Sequence, residues 1–342
     1  MKTRCFALFL ALLALIPTPR AAAEHLYALT REIPVGGDGG WDYLSIDSAA
    51  HRLYVTHATR VVVVETDKEE ILGTITATPG VHGFALAPEL QRGFASDGRD
   101  GNISIVDLKT LKTITKVPAG KNPDAILYES GRQEVYAFNG RSDSVTVIAA
   151  ATGAGVATTP LPGKPEFAAA DPAAGRVYCN IEDKNEVVAL DTKSHLILNT
   201  WPIAPGEEAS GLAIDLDHHR LFIGCRNKRM AMMDATTGKI LDTVPIGTGV
   251  DACAFDPGAG LAFSSCGDGT TTIAREDGDK LTAVQTLITQ RGARTMALDP
   301  FTHRIYLATA QYEAQSDDQT GRPRMIPNTL KVLVYSRTTS AP

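Results

Sequence analysis

The chain has 342 residues, 44% hydrophobic and 21% charged, with 30 glycines and 19 prolines. That profile excludes disordered and collagen-like chains and points to a turn-rich folded protein. The formal net charge of -6 excludes the basic surface that a nucleic-acid partner requires.

The first elements form a leader. Met1-Lys2-Thr3-Arg4 is basic, Cys5 to Ile16 is apolar, and Ala21-Ala22-Ala23 offers small residues for cleavage, so residues 1-23 read as a secretory signal peptide. A dozen apolar residues are too few to span a bilayer, and no later run is long enough. The mature protein is expected to begin near Glu24, to lack a transmembrane segment, and to be periplasmic or secreted. Removing the leader leaves 30 basic against 39 acidic side chains, which sharpens the exclusion of nucleic acid.

Next comes a repeat. Leu44-Ser45-Ile46-Asp47, Phe84-Ala85-Leu86-Ala87, Ala125-Ile126-Leu127-Tyr128, Ala168-Ala169-Ala170-Asp171, Leu212-Ala213-Ile214-Asp215, Cys253-Ala254-Phe255-Asp256 and Met296-Ala297-Leu298-Asp299 share one pattern. Their last residues lie 40, 41, 43, 44, 41 and 43 positions apart. After a polar turn, each leads to a second apolar strand with an aromatic at one place: Tyr54, Phe94, Tyr136, Tyr178, Phe222, Phe263 and Tyr306. A third strand follows, as in Val61 to Val64 or Ile103 to Val106. A turn such as Asp234-Ala235-Thr236-Thr237-Gly238 then leads to a fourth, since Asp and Thr side chains bond the local backbone and Gly accepts positive φ. Four antiparallel strands at this period are one propeller blade, so residues 24-342 are predicted to be a single all-β domain, a seven-bladed β-propeller.

The seventh unit supplies only three strands. The stretch Arg31-Glu32-Ile33-Pro34-Val35-Gly36 resembles the fourth-strand ending Asp242-Thr243-Val244-Pro245-Ile246-Gly247, so residues 24-36 are expected to complete the last blade and remove a sheet edge. Residues 312-328 form one long loop inserted in that blade, read as a mobile insertion rather than a cover.

On these repeats the chain resembles the YVTN-type, YncE-like propellers of the bacterial periplasm. The resemblance is carried by Arg52-Leu53-Tyr54-Val55, its counterparts Arg176-Val177-Tyr178 and Arg304-Ile305-Tyr306, and the Asp-x-x-Thr-Gly turns. It implies the fold over residues 26-336. It does not select a function, because propellers of this architecture include haem-binding, quinoprotein-associated and lactonase-like members.

Residues that recur in every blade serve the blade. The seven aromatics are expected to pack between sheets, the turn residues Asp47, Asp171, Asp215, Asp256 and Asp299 to hold turns, and His51, His218, His219 and His303 to be solvated. The other end of the first hairpin varies. The starts of the first strands carry Asp42, His82, Pro123 beside Asp124, Glu166, Ser210, Asp251 and Arg294; the ends of the second strands carry His57, Asp97, Asn139, Ile181, Cys225, Cys266 and Thr309. Flanking loops add Trp41, Asn122, Glu208, Arg226 and Arg291. These two positions are expected to converge on one mouth of the channel, where blade-specific charge marks a site. The Trp41-Asp42 pair opens a first strand and is not a WD repeat dipeptide; Trp41 either stacks on a ligand or caps the mouth.

Cys253 and Cys179 replace core residues of other blades. Cys225 and Cys266 hold equivalent places in adjacent blades, but sheets pack about 10 Å apart, too far for a disulfide without local narrowing. Soft-metal ligation with His57 or His82 is the other use of this pair.

The leading reading is an exported binding or accessory protein, expected to be a monomer, that takes a small molecule, a metal or a periplasmic protein partner at the mouth. The alternative is a metal-dependent hydrolase or lyase. Asp42, Glu166 and Asp251 would then hold a divalent metal ion with Asn139 or Asn180, His82 or His57 would act as base, and Arg294 would stabilise an oxyanion. No continuous catalytic motif accompanies these residues.

Overall fold

The computed structural model describes residues 26–313 and 324–338. The proposed leader and the central part of the 312-328 loop lie outside them. The described chain forms seven four-stranded antiparallel sheets. Six are local meanders such as Trp41–Asp47, Arg52–His57, Arg60–Glu65 and Glu70–Ile75. The burial pattern explains them: the middle strands are buried on both faces, as in the fully buried run Leu261–Cys266, while outer strands such as Lys112–Pro118 are largely exposed.

The seventh sheet is built from both ends of the chain, in the order Tyr27–Pro34, Lys331–Arg337, Arg304–Thr309, Met296–Asp299. Ile33 lies opposite Val332 and Tyr27 opposite Arg337, with a bulge between Leu29 and Arg31. Tyr27 and Ile33 are buried, and together they lock the closing strand into two separate core clusters. Closure therefore unites the first and last strands, as the repeat count requires.

The seven aromatics are all buried and pack between blades, as Tyr54 does on Phe84 at 4.9 Å. The third blade departs from the expected register by one residue. Its first strand is Pro123–Glu129, so Glu129 takes the turn position, accepting from Gly131 and Arg132 N–H at 2.7 and 2.9 Å, and Asp124 rather than Pro123 occupies the place of Asp42. The turn histidines are also not all simply solvated: His219 and His303 reach back to the buried Asp171 and Asp256 of the preceding blade at 3.1 and 2.7 Å. His195 does the same to Glu134 at 2.8 Å. All four described cysteines are buried and free, including Cys225 and Cys266.

Candidate functional site

Six inner strands and the loop entering the seventh place one residue per blade around the channel: Asp42, His82, Asp124, Glu166, Ser210, Asp251 and, from the loop, Arg294. Neighbours are linked. His82 Nδ1 lies 2.7 Å from Asp42 Oδ2 and 3.7 Å from Asp124 Oδ1. Arg294 Nε donates to Asp251 Oδ2 at 2.7 Å, and Ser210 Oγ approaches Asp251 Oδ1 at 3.3 Å. Lys164 Nζ bridges Glu166 and Glu182 at 2.5 Å each, and Arg226 Nη2 meets Glu182 at 2.7 Å. The result is a polar cavity of about 710 Å³, bordered by Asp42, Asp124, Glu166, Asp251, Arg226, Arg291, Arg294 and Tyr312.

Its floor is a feature that the blade comparison overlooks. Tyr43 and Phe167, from the first and fourth blades, meet across the channel with ring centroids 4.4 Å apart. The equivalent residues elsewhere are Gly83, Ala125, Gly211, Ala252 and Thr295. A Cβ at Gly211 would lie 2.6 Å from the Cys253 amide nitrogen, so that site admits no side chain, and only two blades supply bulk. The signal is the mirror image of the charged one: two large aromatics where other copies are small. Beneath them a second chamber of about 430 Å³ is lined by apolar residues such as Ile126, Leu212, Phe255 and Leu298.

Burial and charge set the protonation of the bowl. Burial works against a charged His82, but Asp42 and Asp124 outweigh it and raise the imidazole to about 9. Burial and the nearby Asp42 raise Asp124 to about 6 despite His82; burial and Asp124 raise Glu166 to about 8 despite Lys164. Asp42 is also raised, by burial first, against its His82 bond. Burial and then the carboxylates of Asp124, Glu166, Asp42 and Asp251 push the Tyr43 phenol well up, so it remains a hydroxyl donor on the floor.

The ends of the second strands do not share this bowl. His57 pairs across its hairpin with Trp41, not Asp42, and paired residues of antiparallel strands point to the same side. His57 is consequently buried, its Nε2–H directed to the Gly39 carbonyl and its Nδ1 to the Arg60 guanidinium, both at 3.1 Å. Burial and Arg60 lower its pKa. Asn139 is equally buried, accepting from Gly120 N–H and donating to Ser144 and Thr146. Asn180 gives its amide to the Ser210 and Gly211 carbonyls. These three tie strands and loops together and do not border the cavity.

Trp41 packs against the core of the first and last blades and stands 6.5 Å from the Tyr312 ring, beside the mouth. Asn122 bonds His82 from its loop. Glu208 is exposed, with its backbone N–H held by Asn185, and is not part of the cavity border. The carboxylates expected to hold a metal are separated by their partners: Glu166 has Lys164 and Asp251 has Arg294. The donor atoms that converge, all within 4.8 Å, belong to Asp42, His82 and Asp124; a second grouping, Asp215, His218 and Glu276, lies at the turn end of the blades.

No protein-family model matches the chain. Over 95 residues, 27% of its length, it is 27% identical to "Uncharacterized protein YncE" of Salmonella typhimurium and to the protein of the same name from Salmonella typhi. The match spans 27% of the length of those relatives. In fold it is similar to a chain of Kuenenia stuttgartiensis hydrazine synthase, with a TM-score of 0.73 at 13% identity over 87% of this chain and 96% of that one. It is likewise similar to a chain of a mitotic checkpoint complex, with a TM-score of 0.74 at 15% identity over 99% of both. The chain is thus a seven-bladed propeller, similar to YncE over those 95 residues and to the solved chains in fold alone.

Proposed function

We propose that the chain is an exported propeller that binds a small polar ligand in the charged bowl at one end of its channel. The observation that carries this is the bowl itself: blade-specific carboxylates and guanidinium groups converge over an aromatic floor, whereas a ring serving only its own stability would repeat one residue seven times. Export is supported by the leader-like segment of residues 1-23. The chamber below has no charged side chain in its lining to pair with a charged ligand.

The test is a thermal-shift screen of metabolites against the parent protein and Asp42→Asn, Asp251→Asn and Arg294→Gln. Ligands that stabilise the parent are expected to lose their effect in the variants. Retained shifts in all three variants would remove the bowl as the site.

A second reading, a metal-dependent hydrolase or lyase, is favoured by the convergence of Asp42, His82 and Asp124. These residues offer the nitrogen and oxygen donors a divalent ion takes, although His82 must first release the proton it shares with Asp42. Metal analysis of the purified protein and a lactone and lyase substrate screen separate the two readings: stoichiometric metal with turnover favours the enzyme, and ligand binding with neither favours the binding protein.

A further inference from the structure

The charges of the bowl can be followed pair by pair. His82 serves Asp42, Lys164 bridges Glu166 and Glu182, Arg226 also meets Glu182, and Arg294 serves Asp251. Two groups remain. Asp124 accepts no side-chain or backbone hydrogen bond on its carboxylate among the described residues; its nearest cation, His82 Nδ1, is 3.7 Å away and lies closer to Asp42, at 2.7 Å. Arg291 makes no ion pair among the described residues. Both border the same cavity of about 710 Å³.

They also stand on opposite walls. Asp124 is on the inner strand of the third blade, and Arg291 is in the loop that enters the seventh. A carboxylate whose side chain is only 16% exposed is poorly hydrated, so leaving it without a hydrogen-bond donor is costly. A guanidinium facing the same cavity presents a planar fork suited to a second carboxylate. The rings of Tyr43 and Tyr312 border the same cavity and offer flat surfaces to an uncharged middle, with Phe167 packed on Tyr43 from the side of the second chamber.

We propose, building on the binding reading above, that the ligand is a zwitterion of short-peptide size, with its ammonium group on Asp124 and its carboxylate on Arg291. An ammonium ion would donate to the free Asp124 oxygens and a carboxylate would accept the Arg291 fork. A single α-amino acid, whose charges lie on adjacent carbons, engages one wall only. A ligand of one sign leaves the other unpaired group as it was.

The experiment uses a pool of tripeptides with free termini, and the same pool either N-acetylated or C-amidated, with binding to the whole protein read by native mass spectrometry. Free peptides are expected to bind, and each cap is expected to weaken binding about tenfold or more. Asp124→Asn should abolish the discrimination against the acetyl cap alone, and Arg291→Gln the discrimination against the amide cap alone. Capped peptides that bind as well as free ones, or discrimination unchanged in both variants, would overturn the proposal. If no tripeptide binds while a different screened ligand is lost in Arg294→Gln, the bowl stands and the zwitterion is wrong. If neither peptide nor any other ligand binds, both fall.

Discussion

At the scale of single residues, the bowl makes stability depend on pH in a defined sense. Asp124 and Glu166 hold their protons more tightly in the folded ring than in the unfolded chain, and so does His82. For each, stability is fully present below the unfolded pKa and declines as pH rises toward the folded value, about 6, 8 and 9 respectively. Turn carboxylates such as Asp299 shift the other way, down, because burial is outweighed by bonds from Ser48, Thr302 and backbone N–H groups, so their contribution is lost in acid. Thermal melts should therefore show a maximum near pH 5 and a decline through pH 9. Glu166→Gln should flatten that decline and melt higher than the parent at pH 8, by about 2–5 °C, since Lys164 keeps Glu182 as partner. An equal or lower melting temperature for the variant at pH 8 contradicts this account. The thiols give a second residue-scale expectation. Burial pushes Cys225, Cys253 and Cys266 up to about 12 and Cys179 well above its ordinary value, so a thiol reagent should label none of the four in the folded protein and all four after denaturation.

At the scale of elements, the closing strand carries the clearest consequence. Deleting residues 26–34 removes the buried Tyr27 and Ile33, each worth about 1.5–3 kcal/mol. It also exposes the edge of Lys331–Arg337. A fall of about 10 °C or more in melting temperature is expected; an unchanged value would show that the ring closes without it. The strands were legible because one pattern recurs seven times, and comparing copies separated turn residues from variable ones. Glu129 misled that comparison by one residue, because a longer side chain does the work of Asp in the third turn. The second-strand ends were misread for a different reason. A sequence shows that two positions lie near one turnless end of a hairpin, but not that His57, Asn139 and Cys225 pair with Trp41, Pro123 and Ala209, and so face the blades rather than the channel. Tyr43 and Phe167 escaped notice because each adjoins the apolar run of its strand and reads as core.

At the scale of the whole molecule, a ring of near-identical units has no need of five residue types at seven equivalent inner positions, and the segregation of the channel into a polar bowl and an apolar chamber turns a repeat into a polarised channel. The Tyr43–Phe167 pair divides the two. Phe167→Ala should join them and weaken ligand binding in the bowl, with the ring still folded, because Phe167 is only half-buried at the edge of two core clusters whose fully buried members are unchanged. The most direct measurement is a crystal structure of the protein with a ligand retained by the thermal screen. The account predicts density above the Tyr43 and Phe167 rings, in contact with Asp124 and Arg291; density in the apolar chamber or between blades, with the bowl holding only solvent, would contradict it.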